Sequence, residues 1–162
     1  MDKSNYKNNL ESFLDKIKGA FVLELGFDID YNPTFNKINI PFEFYYCHSI
    51  TIITDQITFD IKTSMTEAAL ETFWITTSPA DKKNKTKLEI NSRLNAIEYS
   101  ECLDSYAFKI RLELENKSIY IYCGEIYNGE NSILNYKIND EMILVFEKQK
   151  DAETFERLAT KS

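Results

Sequence analysis

The sequence predicts a single α+β domain: a curved, mainly antiparallel β-sheet with an N-terminal helix on its apolar face and a short C-terminal helix docked at an edge. Three observations carry this. Apolar residues recur at helical spacing only near the two ends of the chain, the long middle alternates with period two, and no helical stretch separates successive strands as a parallel sheet requires. The 162 residues, 43% hydrophobic and 28% charged, suit one core. With four glycines and three prolines, no interdomain linker is visible, so the domain is expected to span 1–162.

Taken in order, Tyr6, Leu10, Phe13, Leu14 and Ile17 share one helical face, predicting a helix over 4–19 with Ser4 or Asn5 as its cap and Gly19 as its end. Strands follow at 21–27 and 38–47. Ile50 and Ile52 face Ile57, Phe59 and Ile61 across a turn near Thr54, Asp55 and Gln56, and further strands are expected at 71–76 and 94–99. Phe108, Ile110, Leu112 and Leu114 then alternate with Lys109, Arg111, Glu113 and Glu115, while Ile119, Ile121 and Cys123 alternate with Tyr120 and Tyr122. A turn at Asn116 and Lys117 would pair Leu114 with Ile119, Leu112 with Ile121 and Ile110 with Cys123, inward residue against inward residue. A strand at 142–146 precedes a short helix carrying Ala152, Phe155, Leu158 and Ala159, with Asp151 at its N-terminal end, where a carboxylate suits free amides and the helix dipole.

The function classes narrow by exclusion. A net charge of −7 argues against gripping nucleic acid and favours a basic partner. The one basic run, 82–87, reads as a solvated loop without interleaved aromatics. No stretch approaches the ~20 apolar residues of a membrane span, and no secretory signal is seen, so a cytoplasmic protein with no membrane partner is expected. Cys47, Cys102 and Cys123 form no Cys-x-x-Cys pair and are read as reduced thiols. His48 is the only histidine, which removes multi-histidine metal sites, and its neighbour Cys47 points to the opposite side of a strand. Glycine-rich phosphate loops are missing, so no cofactor is expected. Glu113 and Glu115 could stand as paired carboxylates, but Lys109 and Arg111 share their face and make it a mixed-charge stripe. Codon-class usage, rich in Ile, Asn, Lys, Phe and Tyr, points to an AT-rich bacterial genome.

The outward face of this hairpin carries the most information. Tyr120 and Tyr122 stand beside Arg111 and Glu113, and tyrosine and arginine are favoured interface anchors. Two outcomes stay open: the face is an exposed contact surface, or a helix covers it and both tyrosines become core.

The stretch from Ile97 to Leu158, with Ile-Glu-Tyr at 97–99, the charged hairpin, Cys-Gly-Glu-Ile at 123–126, the segment 139–146 and the segment 151–156, resembles small acidic α+β immunity proteins of bacterial polymorphic toxin systems. The resemblance implies a non-enzymatic cytosolic protein that binds a cognate toxin domain and blocks its active site. On that reading Arg111, Glu113, Tyr120 and Tyr122 hold the partner, supported by Glu98 and Glu101. Two other readings are a pocket for a small apolar or aromatic ligand with His48 or Trp74 at its mouth, and an enzyme pairing His48 with a cysteine.

Overall fold

The computed structural model describes residues 2–28, 39–79, 86–102 and 106–159. Among the described residues two α-helices bracket ten strands: α1 (Lys3–Ile17), β1 (Phe21–Phe27), β2 (Tyr45–Cys47), β3 (Ile50–Thr54), β4 (Ile57–Met65), β5 (Glu71–Pro79), β6 (Thr86–Glu101), β7 (Ala107–Leu114), β8 (Ser118–Asn128), β9 (Leu134–Ile138), β10 (Met142–Phe146) and α2 (Gln149–Leu158). The strands run β2-β10-β8-β7-β6-β1-β3-β4-β5 in one sheet that does not close, with β9 also on β8. Every pairing is antiparallel. This is the expected α+β architecture.

Helix α1 begins earlier than expected. Asp2, not Ser4 or Asn5, is the cap, and its carboxylate accepts from the Asn5 amide at 2.8 Å. Gly19 ends the turn after the helix with φ +71, a conformation that costs an L side chain dearly. Tyr6, Leu10, Phe13 and Ile17 sink into the inner core with Val22, Ile50, Ile52, Phe59, Ile61, Phe73, Ile110, Leu112, Ile119 and Ile121. Two polar fixings accompany this packing. The Tyr6 hydroxyl accepts from the Ala107 amide at 2.6 Å, and the Asn9 carboxamide exchanges both of its hydrogen bonds with the Ile75 backbone, at 2.8 and 2.9 Å, as a neighbouring strand would. The edge strand β5 is thereby blunted.

Strand β6 joins the two halves of the sheet, pairing with β1 over its first half and with β7 over its second. A bulge opposite Leu23, where Asn91 takes φ +47, bends it between the two tasks. The basic run is therefore partly strand: Thr86 and Lys87 belong to β6, and Lys87 meets Glu24 at 3.6 Å, while residues 82–85 lie outside the described residues. The strand expected at 38–47 shortens to β2. Pro41 can offer no amide, and Phe42 turns into a packed cluster, so 40–44 is irregular; Ile38 lies outside the described residues.

The hairpin register also differs from the expectation. The Leu114 amide donates to the Lys117 carbonyl at 2.8 Å, so the turn is at Glu115 and Asn116, and Ile110 faces Ile121 while Leu112 faces Ile119. Moving the turn by one residue slides the pairing by two, which keeps inward residues inward; hydrophobic alternation cannot separate the two registers. Phe108, expected inward, is carried into the outer cluster by a register shift between Ser100 and Glu101.

Strand β9 was not expected, although Leu134, Tyr136 and Ile138 alternate with Asn135 and Lys137. It and β10 follow one another along β8: Gly124 faces both Ile138 and Met142, so 139–141 loops out as a bulge. A Cβ on Gly124 would run into the Lys137 carbonyl. Asn139, at φ +56, fastens the bulge across to β5, accepting from the Glu71 amide at 3.0 Å and donating its side-chain amide to the Glu71 carbonyl at 3.0 Å. The Thr63 hydroxyl donates to the Glu141 carbonyl at 2.8 Å and that of Thr72 to the Ala107 carbonyl at 2.9 Å. A polar seam, not a ladder, draws β4 and β5 against the opposite half-sheet.

Helix α2 lies on the outer face of β8–β10 and not at an edge. Phe155 sits among the rings of Phe42, Tyr122, Tyr136 and Phe146 at centroid distances of 5.1 to 6.4 Å. No helix among the described residues is long and apolar enough to cross a membrane.

Candidate functional site

The residues singled out on the hairpin converge on a groove of about 220 Å³ between the outer face of β7–β8 and α2, lined by Lys109, Arg111, Tyr120, Tyr122, Glu153 and Glu156 among others. Register builds it: Lys109 stands opposite Tyr122 and Arg111 opposite Tyr120, so two cations and two phenols share one face. The amphipathic α2 turns Ala152 and Phe155 onto that face, which sets Glu153 and Glu156 at the groove.

The outcome for the tyrosines is the covered one, and α2 does the covering. Tyr122 is fully buried, its ring edge-on to Phe146 and Phe155, and its hydroxyl donates to Glu156 Oε2 at 2.7 Å. Lys109 Nζ reaches the same oxygen at 3.1 Å. Burial first, then the Glu156 carboxylate, drives the Tyr122 phenol far above its ordinary value, so it stays a donor. Tyr122 is thus a floor for the helix and no surface anchor, a correction to the contact-surface reading. Tyr120 is 8% exposed and packs in the same outer cluster, leaving only its margin for contact.

The accessible part of the site is its charged rim. Arg111 holds Glu98 at 3.0 Å and Glu113 at 3.4 Å, and its Nη1 donates to the Ser118 hydroxyl at 3.4 Å. Partial burial opposes the Arg111 charge, but the Glu98 and Glu113 carboxylates outweigh it and hold the guanidinium above its ordinary range. Glu98 is 66% exposed and Glu113 45%. Arg111 is therefore a pre-organised centre between carboxylates that reach solvent. Glu101 stands apart: it is exposed, but its register partner is Ala107, and it does not join the Arg111 cluster. Glu115 sits in the turn, its amide donating to the Ser92 hydroxyl at 3.1 Å, so the geometry of a Glu113–Glu115 carboxylate pair on one strand is lost.

The other candidates disperse. Cys47 is buried, its thiol pushed up to about 12 by burial and the Asp28 charge, and Cys123 is pushed well above its ordinary value by burial and by Glu71 and Asp140. Both thiols donate to backbone carbonyls, of Ile143 and Asp140 respectively, the opposite of what a nucleophile needs. His48 is exposed in the link between β2 and β3, and Trp74 is half-buried on β5 opposite Lys62. The aromatic rings that suggested a ligand pocket fill the outer cluster against one another. Among the described residues no group of three or more His, Cys, Asp or Glu side chains is arranged to hold a metal ion.

Sequence reasoning missed Glu153 and Glu156. Their signal was their place beside Phe155 on an amphipathic helix, but which sheet face that helix covers is set by tertiary packing alone. Compared with protein-family models, with curated proteins and with solved structures, the chain matches none.

Proposed function

We propose that this protein is a binding module of the immunity-protein kind, which holds a basic protein partner, a toxin domain, against the rim of Glu98, Arg111 and Glu113 and the margin of Tyr120, and works in the cytoplasm where that partner is made. The observation that carries the reading is the charge balance of the groove. Glu98, Glu113, Glu153 and Glu156 surround Lys109 and Arg111, whose charges are already engaged, so the site presents surplus negative charge in a chain of net charge −7. Such a surface steers a cationic partner and raises its rate of encounter. Arg111 adds directional contacts at the centre, where truncation of an anchor typically costs ~2 kcal/mol or more.

Co-expression tests this reading. The reading expects a toxic domain to be encoded beside this chain's gene; the product of the gene immediately upstream is expressed in a bacterial host with and without this protein. The expected result is growth only when both are present, with a complex that co-purifies and weakens steeply as salt rises. Loss of growth in both cases, with no complex at low salt, would overturn it.

A further inference from the structure

Helix α2 borders a second recess at its N-terminal end, where Lys148 and Asp151 take the place that Ala152, Glu153 and Glu156 have in the groove. This cleft of about 370 Å³ opens between the irregular stretch 40–44, the end of β10 and the start of α2, with Phe44, Tyr45 and Val145 as apolar walls. Three carboxylates, Glu43, Glu147 and Asp151, line it against one cation, Lys148. Two of the three are engaged. Glu147 accepts from the Tyr45 hydroxyl at 2.9 Å and meets Lys117 at 3.3 Å, and Glu43 holds Lys148 at 3.0 Å. Asp151 is only 5% exposed and lines the cleft, and among the described residues no donor is hydrogen-bonded to its carboxylate. A buried carboxylate facing a cleft without a donor of its own calls for a cationic ligand. We propose that the cleft receives the guanidinium of an arginine side chain presented by the basic protein partner, with Asp151 as its anchor and Glu43 as its second carboxylate.

Walls and charges together choose this ligand. Tyr45 is stacked flat on Phe27 at 4.4 Å and tied through its hydroxyl to Glu147, so the cleft has a rigid aromatic side. A planar guanidinium packs against aromatic rings, forks onto a carboxylate through two parallel bonds and carries an alkyl stem suited to Val145, whereas an ammonium is a strongly hydrated point charge. Among the described residues no three acidic, histidine or cysteine side chains are arranged for a metal ion, which leaves an organic cation as the fitting one. A neighbouring cavity of about 300 Å³ shares Glu43, Lys148 and Asp151 but has Lys150 in place of Glu147, so its charges balance and the surplus of carboxylates belongs to the first cleft. The Glu43–Lys148 pair borders both. Its side chains are 82% and 65% exposed, which makes it a weak pair that an incoming guanidinium can replace at Glu43. This inference rests on the binding-module reading only for the source of the arginine, and it adds a point of contact separate from the Arg111 rim.

The test titrates the whole protein with Nα-acetyl-arginine methylamide, which carries the side chain on a neutral backbone, and follows the amide resonances. Binding at about 1 mM is expected, an ordinary strength for so small a ligand, with shifts centred on Glu43, Gln149 and Lys150. The citrulline analogue has the same shape without the charge and should bind at least about tenfold more weakly, as should the arginine probe to Asp151→Asn. Glu43→Gln, at a side chain too exposed to disturb folding, should weaken binding about twofold to fivefold, and Lys148→Met should strengthen it by a similar factor by removing the competing cation. Glu11→Gln, on the exposed face of α1, should leave it unchanged. Free arginine brings its own carboxylate to the surplus of acids and should bind more weakly than the amide; tighter binding would mark a free metabolite and overturn the protein source. Equal affinity for the arginine and citrulline probes, or undiminished binding by both Asp151→Asn and Glu43→Gln, would overturn the site. The titration needs no partner, so its failure leaves the Arg111 rim standing, and a failed co-expression leaves the affinity of the cleft to be read by itself.

Discussion

Helices α1 and α2 bury apolar stripes against opposite faces of one sheet, and different chemistry holds each in place. Helix α1 sends Tyr6, Leu10, Phe13 and Ile17 into the inner core and ties its polar atoms to backbone, through Tyr6 to Ala107 and through Asn9 to Ile75. Helix α2 buries Ala152 and Phe155 among the outer rings and ties its polar atoms to side chains, through Glu156 to Tyr122 and Lys109. Backbone fixings make α1 part of the sheet's own hydrogen-bond accounting. Side-chain fixings leave α2 a cover that can be altered one residue at a time, and it is beside such a cover that variable recognition is easiest to build.

The largest effects should separate the two helices. Phe13→Ala removes a ring that packs edge-on to Phe59 at 5.1 Å and should cost about 3–5 kcal/mol in denaturant unfolding, with all strands losing protection together. Phe155→Ala removes a ring of similar burial, but its loss should show in amide exchange as early opening of α2 and β9 while β3 and β4 stay protected. Uniform loss in both variants would break the comparison. Asn9→Leu leaves the amide and carbonyl of Ile75 without their partner on a sheet edge, an effect of roughly 1–3 kcal/mol. It should also make the protein prone to edge-to-edge association, read by light scattering on concentration. Tyr122→Phe is smaller, about 1.5 kcal/mol by thermal unfolding, because Lys109 still accompanies the Glu156 carboxylate.

The inner half of this picture was legible in the sequence. Ile110, Leu112, Ile119 and Ile121 declare their face by period two, and Tyr6 to Ile17 declare theirs by helical period, because burial on one side leaves a one-dimensional trace. The outer half left a weaker trace. Tyr120 and Tyr122 alternate with apolar residues just as solvent-facing ones would, and only the docking of α2 makes them core. The register of the hairpin was ambiguous by two residues for the reason already given, and the bulge at Asn139 reads in sequence as an ordinary Asn-Asp turn. Of the candidate site, Arg111, Glu113 and Glu98 do come together, since cross-strand neighbours follow from register, whereas Glu101 falls beyond the reach of the cluster.

The central claim is that the covered tyrosines support the groove while the Arg111 rim does the binding. It is tested most directly by measuring, for Arg111→Ala, both the melting temperature and the affinity for the partner captured by co-expression. The ion pairs Arg111 makes are largely solvent-exposed on the carboxylate side, so their loss should change stability by less than about 1 kcal/mol. Affinity should fall at least 30-fold, the equivalent of ~2 kcal/mol at an interface centre. Unchanged affinity in a normally folded Arg111→Ala protein would contradict the account.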